Sequence, residues 1–121
     1  MRAMILDGIY DLKSDQEPLQ LKNVPIPKIS KKDILIKVEA CGVCHTEIDE
    51  IEGRTSPPEY PVIPGHEVVG KVDKAGSMVT RFKTGDRVGV AWIYSSCGEC
   101  QHCRAGNEHL CPESNATGRD A

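Results

Sequence analysis

Through the first three quarters of the chain, short apolar runs are separated by prolines and glycines. Five of these runs predict β-strands: Ala3 to Leu6, Leu19 to Val24, Ile34 to Ala40, Glu67 to Val72 and Arg87 to Trp92. The third has the clearest period, because Ile34, Ile36, Val38 and Ala40 alternate with Leu35, Lys37 and Glu39 to give a mostly apolar and a mostly polar face. A single short helix is predicted over Thr46 to Glu52. There Ile48 and Ile51 share a face, Thr46 serves as the cap, the acidic residues suit a helix N-terminus, and Gly53 ends the segment. Turn signals follow at Pro57-Pro58, Pro61, Pro64-Gly65, Gly76-Ser77 and Gly85-Asp86. Strands at such spacing predict a mainly β domain, a small barrel or sandwich. From Ser95 onward the periodicity fades, and four of the six cysteines lie there. A segment with so little apolar surface to bury needs another source of order, which bound metal would supply.

A length of 121 residues fits one domain and a hydrophobic fraction of 39% fits a globular one. The net charge of -3, with basic residues dispersed, offers no stripe to track phosphates, so nucleic acid is not expected as a partner. No apolar run approaches the ~20 residues of a membrane-spanning helix, and Asp7 comes too early for a signal-peptide core. A cytoplasmic chain with reduced thiols is the expectation, which directs attention to metal binding before disulfides.

Cys97, Cys100 and Cys103 are spaced three apart in CGECQHC, and Cys111 closes the following RAGNEHLC. Four thiolates at this spacing can wrap one tetrahedral zinc, with Gly98 and Gly106 allowing tight turns, and a closed thiolate shell makes such a site structural. An iron–sulfur cluster and free buried cysteines are the alternatives, since soft thiolates suit either metal. His102 and His109 lie in the same lobe, but the cysteines already complete a shell. A second cluster combines Cys41, Cys44 and His45 in CGVCHTE with His66 and Glu67 in PGHEVVG. Taken alone, the CxxCH spacing also matches c-type haem attachment, and GHE is a weak signal.

In order, CGVCHTE, GHEVVGKVDKAG, GDRVGV and the CxxCxxC lobe resemble the zinc-dependent medium-chain alcohol dehydrogenases over nearly the whole chain. The resemblance implies an incomplete GroES-like β-barrel with short helices over residues 1–121, carrying a zinc-binding loop lobe at 95–112. It also implies oxidation of small alcohols to aldehydes or ketones with NAD or NADP. By position, Cys44 and His66 resemble the first two catalytic zinc ligands, while Cys41 falls where the family places no ligand. A third ligand, a cysteine or carboxylate in relatives, would follow residue 121. Glu67 resembles the glutamate beside the zinc, and Glu47 takes the place of a carboxylate, usually aspartate, that orients the histidine. Thr46 matches the hydroxyl that accepts the alcohol proton, and His45 a residue near the cofactor pyrophosphate. Asp49 stands where the family has a relay histidine. Trp92 matches an aromatic that narrows the alcohol pocket, or else packs on the barrel as any tryptophan can.

These residues contain no GxGxxG, so a dinucleotide-binding Rossmann domain is not expected within them, and the 121-residue chain by itself is expected to be inactive. A complementary chain could supply that domain. A non-catalytic zinc-binding structural or assembly module and an iron–sulfur protein are the competing readings, and a homo-oligomer is left open.

Overall fold

The longest ladder of the fold determines where its chemistry sits. In the computed structural model, which describes residues 1–120, strand β3 (Ile34–Gly42) pairs antiparallel with β4 (Glu67–Ala75), and β4 pairs antiparallel with β5 (Arg87–Val90). Because β3 and β4 run in opposite directions, the exit of β3 lies beside the entry of β4, and Gly42 is directly opposite Glu67. The residues that follow Gly42 and those that precede Glu67 therefore meet at one end of the sheet. Gly42 leaves room there for the Glu67 side chain, whose Oε2 would lie 2.2 Å from a Cβ at this position. The register slips between Val38 and Ala40, leaving Glu39 without a partner and bending the strand as a bulge does.

Two smaller sheets complete the mainly β architecture. Strand β1 (Arg2–Ile5) pairs with β2 (Gln20–Asn23), and β6 (Ile93–Ser95) pairs with β7 (Asn115–Ala116), both antiparallel. The sheets are open, and among the described residues they do not close into a barrel. A reciprocal backbone bridge between Leu6 and Val62, 2.9 Å in each direction, ties the β1 region to the segment that leads into β4. The apolar core is small: Ile5, Leu6, Ile51, Val72, Cys111 and Ala116. The alternation expected in β3 does not appear as alternating burial: Ile34, Leu35 and Ile36 are half-buried in a row and the residues from Lys37 to Cys41 are exposed, Val38 by 56%, with the register shifting twice along the strand.

Helix α1 spans His45–Ile51, one residue earlier than the sequence pattern predicts. Its cap is Cys44 and not Thr46. The Cys44 sulfur accepts the Thr46 amide at 3.3 Å, and the Glu47 carboxylate accepts the Cys44 amide at 2.7 Å, which closes a capping box. The inward face also differs from expectation. Glu47, Glu50 and Ile51 are buried, whereas Ile48 is only half-buried. In the cysteine-rich lobe, where no helix was expected, α2 (Gln101–Arg104) and a 3₁₀ turn (Glu108–Leu110) form between the ligand-type residues. The whole lobe is a loop inserted between the two strands of the β6–β7 ladder.

Candidate metal centres

Two groups of side chains converge as metal-binding groups do. In the lobe, one sulfur from each of Cys97, Cys100, Cys103 and Cys111 falls within 4.8 Å of all the others. Cys97 Sγ lies 3.6 Å from Cys111 Sγ and 3.9 Å from Cys103 Sγ. Backbone amides point at the sulfurs. The Cys100 amide donates to Cys97 Sγ at 3.3 Å, the Cys103 amide to Cys100 Sγ at 3.5 Å, and the Cys97 amide to Cys111 Sγ at 3.5 Å. Amides arranged in this way stabilise thiolate, the form that binds metal. The Glu99 and Cys100 amides pull the Cys97 thiol down to about 7. At Cys111 the Cys97 amide also pulls downward, but burial and the neighbouring Cys97 and Cys103 thiols outweigh it and push the group up to about 11. Four sulfurs this close do not all ionise without a cation among them. Gly98 and Gly106 take φ of 77° and 75°, the left-handed turns expected between the cysteines. His102 and His109 are not in the group.

The second group is Cys44, Glu47 and His66, again within 4.8 Å of one another. It is assembled by the ladder: Cys44 follows β3, His66 precedes β4, and Glu47 is one turn into α1. Cys44 Sγ lies 3.4 Å from His66 Nε2, and Glu47 Oε1 lies 2.7 Å from His66 Nδ1. At this distance Glu47 Oε1 and His66 Nδ1 are within ion-pair reach but not in hydrogen-bond geometry, so neither has a hydrogen-bond partner, and the residues are only 6% and 8% exposed. A negative charge this near Nδ1 favours the ring proton on that side, which leaves the Nε2 lone pair on the side of the Cys44 sulfur. Glu47 thus does two things at once, capping α1 with one oxygen and aiming His66 with the other.

The other expected site residues surround this centre without joining it. Thr46 is half-buried in the first turn of α1. Glu67 begins β4 with its carboxylate against Gly42, outside the three-residue group. Cys41 lies against Gly65 and is likewise outside it. His45 is exposed, with Nδ1 3.3 Å from Asp49 Oδ1, and Asp49 also receives Arg54 Nε at 2.5 Å. That Arg54 bond, and then the His45 contact, hold the Asp49 carboxyl below the usual range. Trp92 packs edge-on against His66, with ring centroids 4.8 Å apart and planes at 82°.

Sequence reasoning missed Glu50, which is 1% exposed with neither carboxylate oxygen partnered. Burial first, and then the charge of Glu47, raise its pKa to about 7, against the pull of Arg119. The i, i+3 spacing from Glu47 was the available signal, since a helix that turns Glu47 inward also turns Glu50 inward.

The comparisons identify the fold. The alcohol dehydrogenase GroES-like domain family matches residues 30–119. An alcohol dehydrogenase of Geobacillus stearothermophilus is 46% identical over 104 residues, covering 85% of this chain and 31% of that protein. The fold resembles the cobalt- and zinc-bound thermostable alcohol dehydrogenase of Pyrobaculum aerophilum, with a TM-score of 0.87 and 28% identity over 100% of this chain and 36% of that one. It also resembles CAD of Helicobacter pylori, solved with NADP(H), with a TM-score of 0.77 and 29% identity over 97% and 33% of the two chains. The open, mainly β fold is that of a GroES-like domain, and the chain belongs to the alcohol dehydrogenase GroES-like domain family. It spans about a third of the length of the relatives it matches.

Proposed function

We propose that this chain is the metal-binding catalytic-domain portion of a zinc-dependent alcohol dehydrogenase, acting on small alcohols or aldehydes with NAD or NADP. The observation that carries this reading is the convergence of a thiol, an imidazole and a carboxylate at the end of the β3–β4 ladder. Cys44 and His66 are the zinc ligands in this reading. Their donor types suit zinc, and two ligands leave room for a third and for substrate. When bound, zinc supplies Lewis-acid chemistry, acidifying an alcohol hydroxyl as it acidifies water.

The chain's own residues do the rest. Glu47 keeps the His66 ring oriented through Nδ1. Thr46, two residues after the thiol ligand, offers a hydroxyl to accept the substrate proton, and Glu67 supplies a carboxylate beside the metal. His45, exposed on α1, meets a cofactor phosphate in this reading. Asp49 occupies the relay position. Its salt bridge to Arg54 keeps it ionised, so a proton leaves by a different route from a neutral imidazole. Trp92 narrows the pocket. The lobe at 95–112 holds the structural zinc through its four cysteines, and both thiol centres require a reducing compartment such as the cytoplasm.

Metal analysis tests the reading. The purified chain is expected to bind zinc, and not iron, in one tight and one weak event, with Cys44→Ser abolishing only the weak one. Loss of the tight event in that variant contradicts the ligand assignment. Residues 1–121 alone are expected not to reduce NAD or NADP. Joining them to the C-terminal part of a close relative is expected to give zinc-dependent alcohol oxidation that His66→Ala removes.

A further inference from the structure

Trp92 is the only tryptophan of the chain, and the surface of a pocket is not its only contact. Its ring meets His66 edge-on at 4.8 Å, and its backbone is gripped from the other side. The Thr117 amide donates to the Trp92 carbonyl at 2.8 Å, and the Thr117 hydroxyl donates to the Ala91 carbonyl at 2.8 Å. The next residue, Gly118, has φ of 74° and lies so close to Gly65 that a Cβ would come within 2.5 Å of the Gly65 carbonyl oxygen. Gly65 immediately precedes His66. Thr117 and Gly118 therefore hold the backbones on both sides of the stack, Trp92 on one and Gly65 on the other. A short turn braces this dipeptide, since the Asp120 amide donates to the Ala116 carbonyl at 3.0 Å and Asp120 Oδ2 accepts the Ala116 amide at 2.8 Å.

We propose that Trp92, clamped by Thr117 and Gly118, is a positioning residue that fixes the plane of the His66 ring. Glu47 lies 2.7 Å from Nδ1 and the Cys44 sulfur 3.4 Å from Nε2, and both bear on the edge of the ring, so neither blocks a tilt of its plane. An aromatic edge against the ring removes that freedom, so the Nε2 lone pair stays directed at the Cys44 side. The inference rests on the reading of Cys44 and His66 as metal ligands and adds what keeps one of them aimed.

The experiment uses the full chain with its lobe first saturated with one equivalent of zinc, followed by titration with Co²⁺ read by absorption in the visible. Trp92→Leu is expected to weaken cobalt binding about three- to tenfold, the scale of one aromatic contact, while Trp92→Phe, which keeps an aromatic edge, stays close to wild type. Thr117→Val, which removes the hydroxyl bond, falls between them. The His66 ring proton shifts, recorded without cobalt, are expected to move in Trp92→Leu as the ring-current contribution disappears. Equal cobalt affinity in Trp92→Leu and wild type overturns the proposal, as does equal weakening in the leucine and phenylalanine variants. If wild type itself binds no second metal, the ligand reading fails. Unchanged His66 shifts in Trp92→Leu then overturn the stack as well, and shifted ones retain it as a purely packing contact without a positioning role.

Discussion

The two centres of this chain are built in opposite ways. The lobe draws four identical donors from the short stretch Cys97–Cys111, within which Cys111 alone is buried, so its order depends on what the donors hold. The Cys44, Glu47 and His66 group draws three different donors from segments 22 residues apart in sequence, brought together by a long antiparallel ladder and a capping box. On the proposed zinc reading, the first centre is organised by its metal and the second is organised for its metal. Metal loss should unravel the first and leave the second standing, with its geometry still limited by the residues that aim it.

The largest effect that tests this contrast is chelation. Structural zinc contributes roughly 10 kcal/mol or more of apparent binding energy to small zinc domains, far above what the single buried side chain of this segment could supply. Hydrogen exchange is therefore expected to lose protection from Ser95 to Pro112 on chelation while β3 and β4 stay protected. Cys103→Ser is expected to have the same consequence without a chelator. Equal protection with and without metal would remove the distinction between the centres.

How much of this was legible in the sequence follows the same division. The lobe could be read because ligand spacing is local, and four cysteines at short intervals allow few other uses. The pairing of Cys44 with His66 was legible from the order of motifs, since nothing in the intervening residues announces that β3 and β4 are neighbours. The inner face of α1 was misread. Isoleucines at i, i+3 indicate an apolar stripe, and acidic residues are normally solvated, yet here Glu47 turns inward to reach His66 and brings Glu50 with it. The Cys44 cap was missed because a sulfur rarely serves where serine or threonine usually does. The Trp92 contact depends on the 117–118 clamp, which has no sequence signal of its own.

Glu50 gives a sharper way to probe the organised centre, because its burial strains the fold and not the metal. Its folded pKa, about 7, lies above the ordinary 4.5, so the folded state holds the proton more tightly than the unfolded state does. The sign follows: stability is fully present below pH 4.5 and is lost as the pH rises through about 7. Between pH 5 and pH 8 the loss is expected to be about 2–3 kcal/mol, because a tenfold difference in proton affinity between the folded and unfolded states corresponds to about 1.4 kcal/mol. Denaturant melts of the zinc-saturated chain at about pH 5 and about pH 8, either side of the folded value, measure it, and Glu50→Gln is expected to flatten the difference. Because zinc binding by thiolate and imidazole also changes over this range, the readout is the difference between wild type and Glu50→Gln, and an equal difference at both pH values would mean that Glu50 finds a partner in solution.

The smallest effect concerns the second oxygen of Glu47 and separates aiming from capping. Glu47→Gln keeps a side-chain carbonyl that can still accept the Cys44 amide, so the helix cap is largely retained. It loses the negative charge 2.7 Å from His66 Nδ1, and with it the preference for a proton on that nitrogen. Outer partners of ligating histidines typically account for about 10–100-fold in metal affinity. Glutamine has one oxygen where glutamate has two: with that oxygen on the Cys44 amide, its NH2 group faces Nδ1 and cannot accept the ring proton, so the loss reaches at least the lower end of that range. Competition with a chromophoric chelator is expected to show about tenfold weaker zinc binding at the Cys44 and His66 centre, with the lobe unchanged. Glu47→Ala removes the cap as well and is expected to weaken binding further while lowering the melting temperature. If glutamine and alanine weaken binding equally with no loss of stability, the carboxylate does not cap α1; if glutamine binds as wild type, it does not aim the histidine.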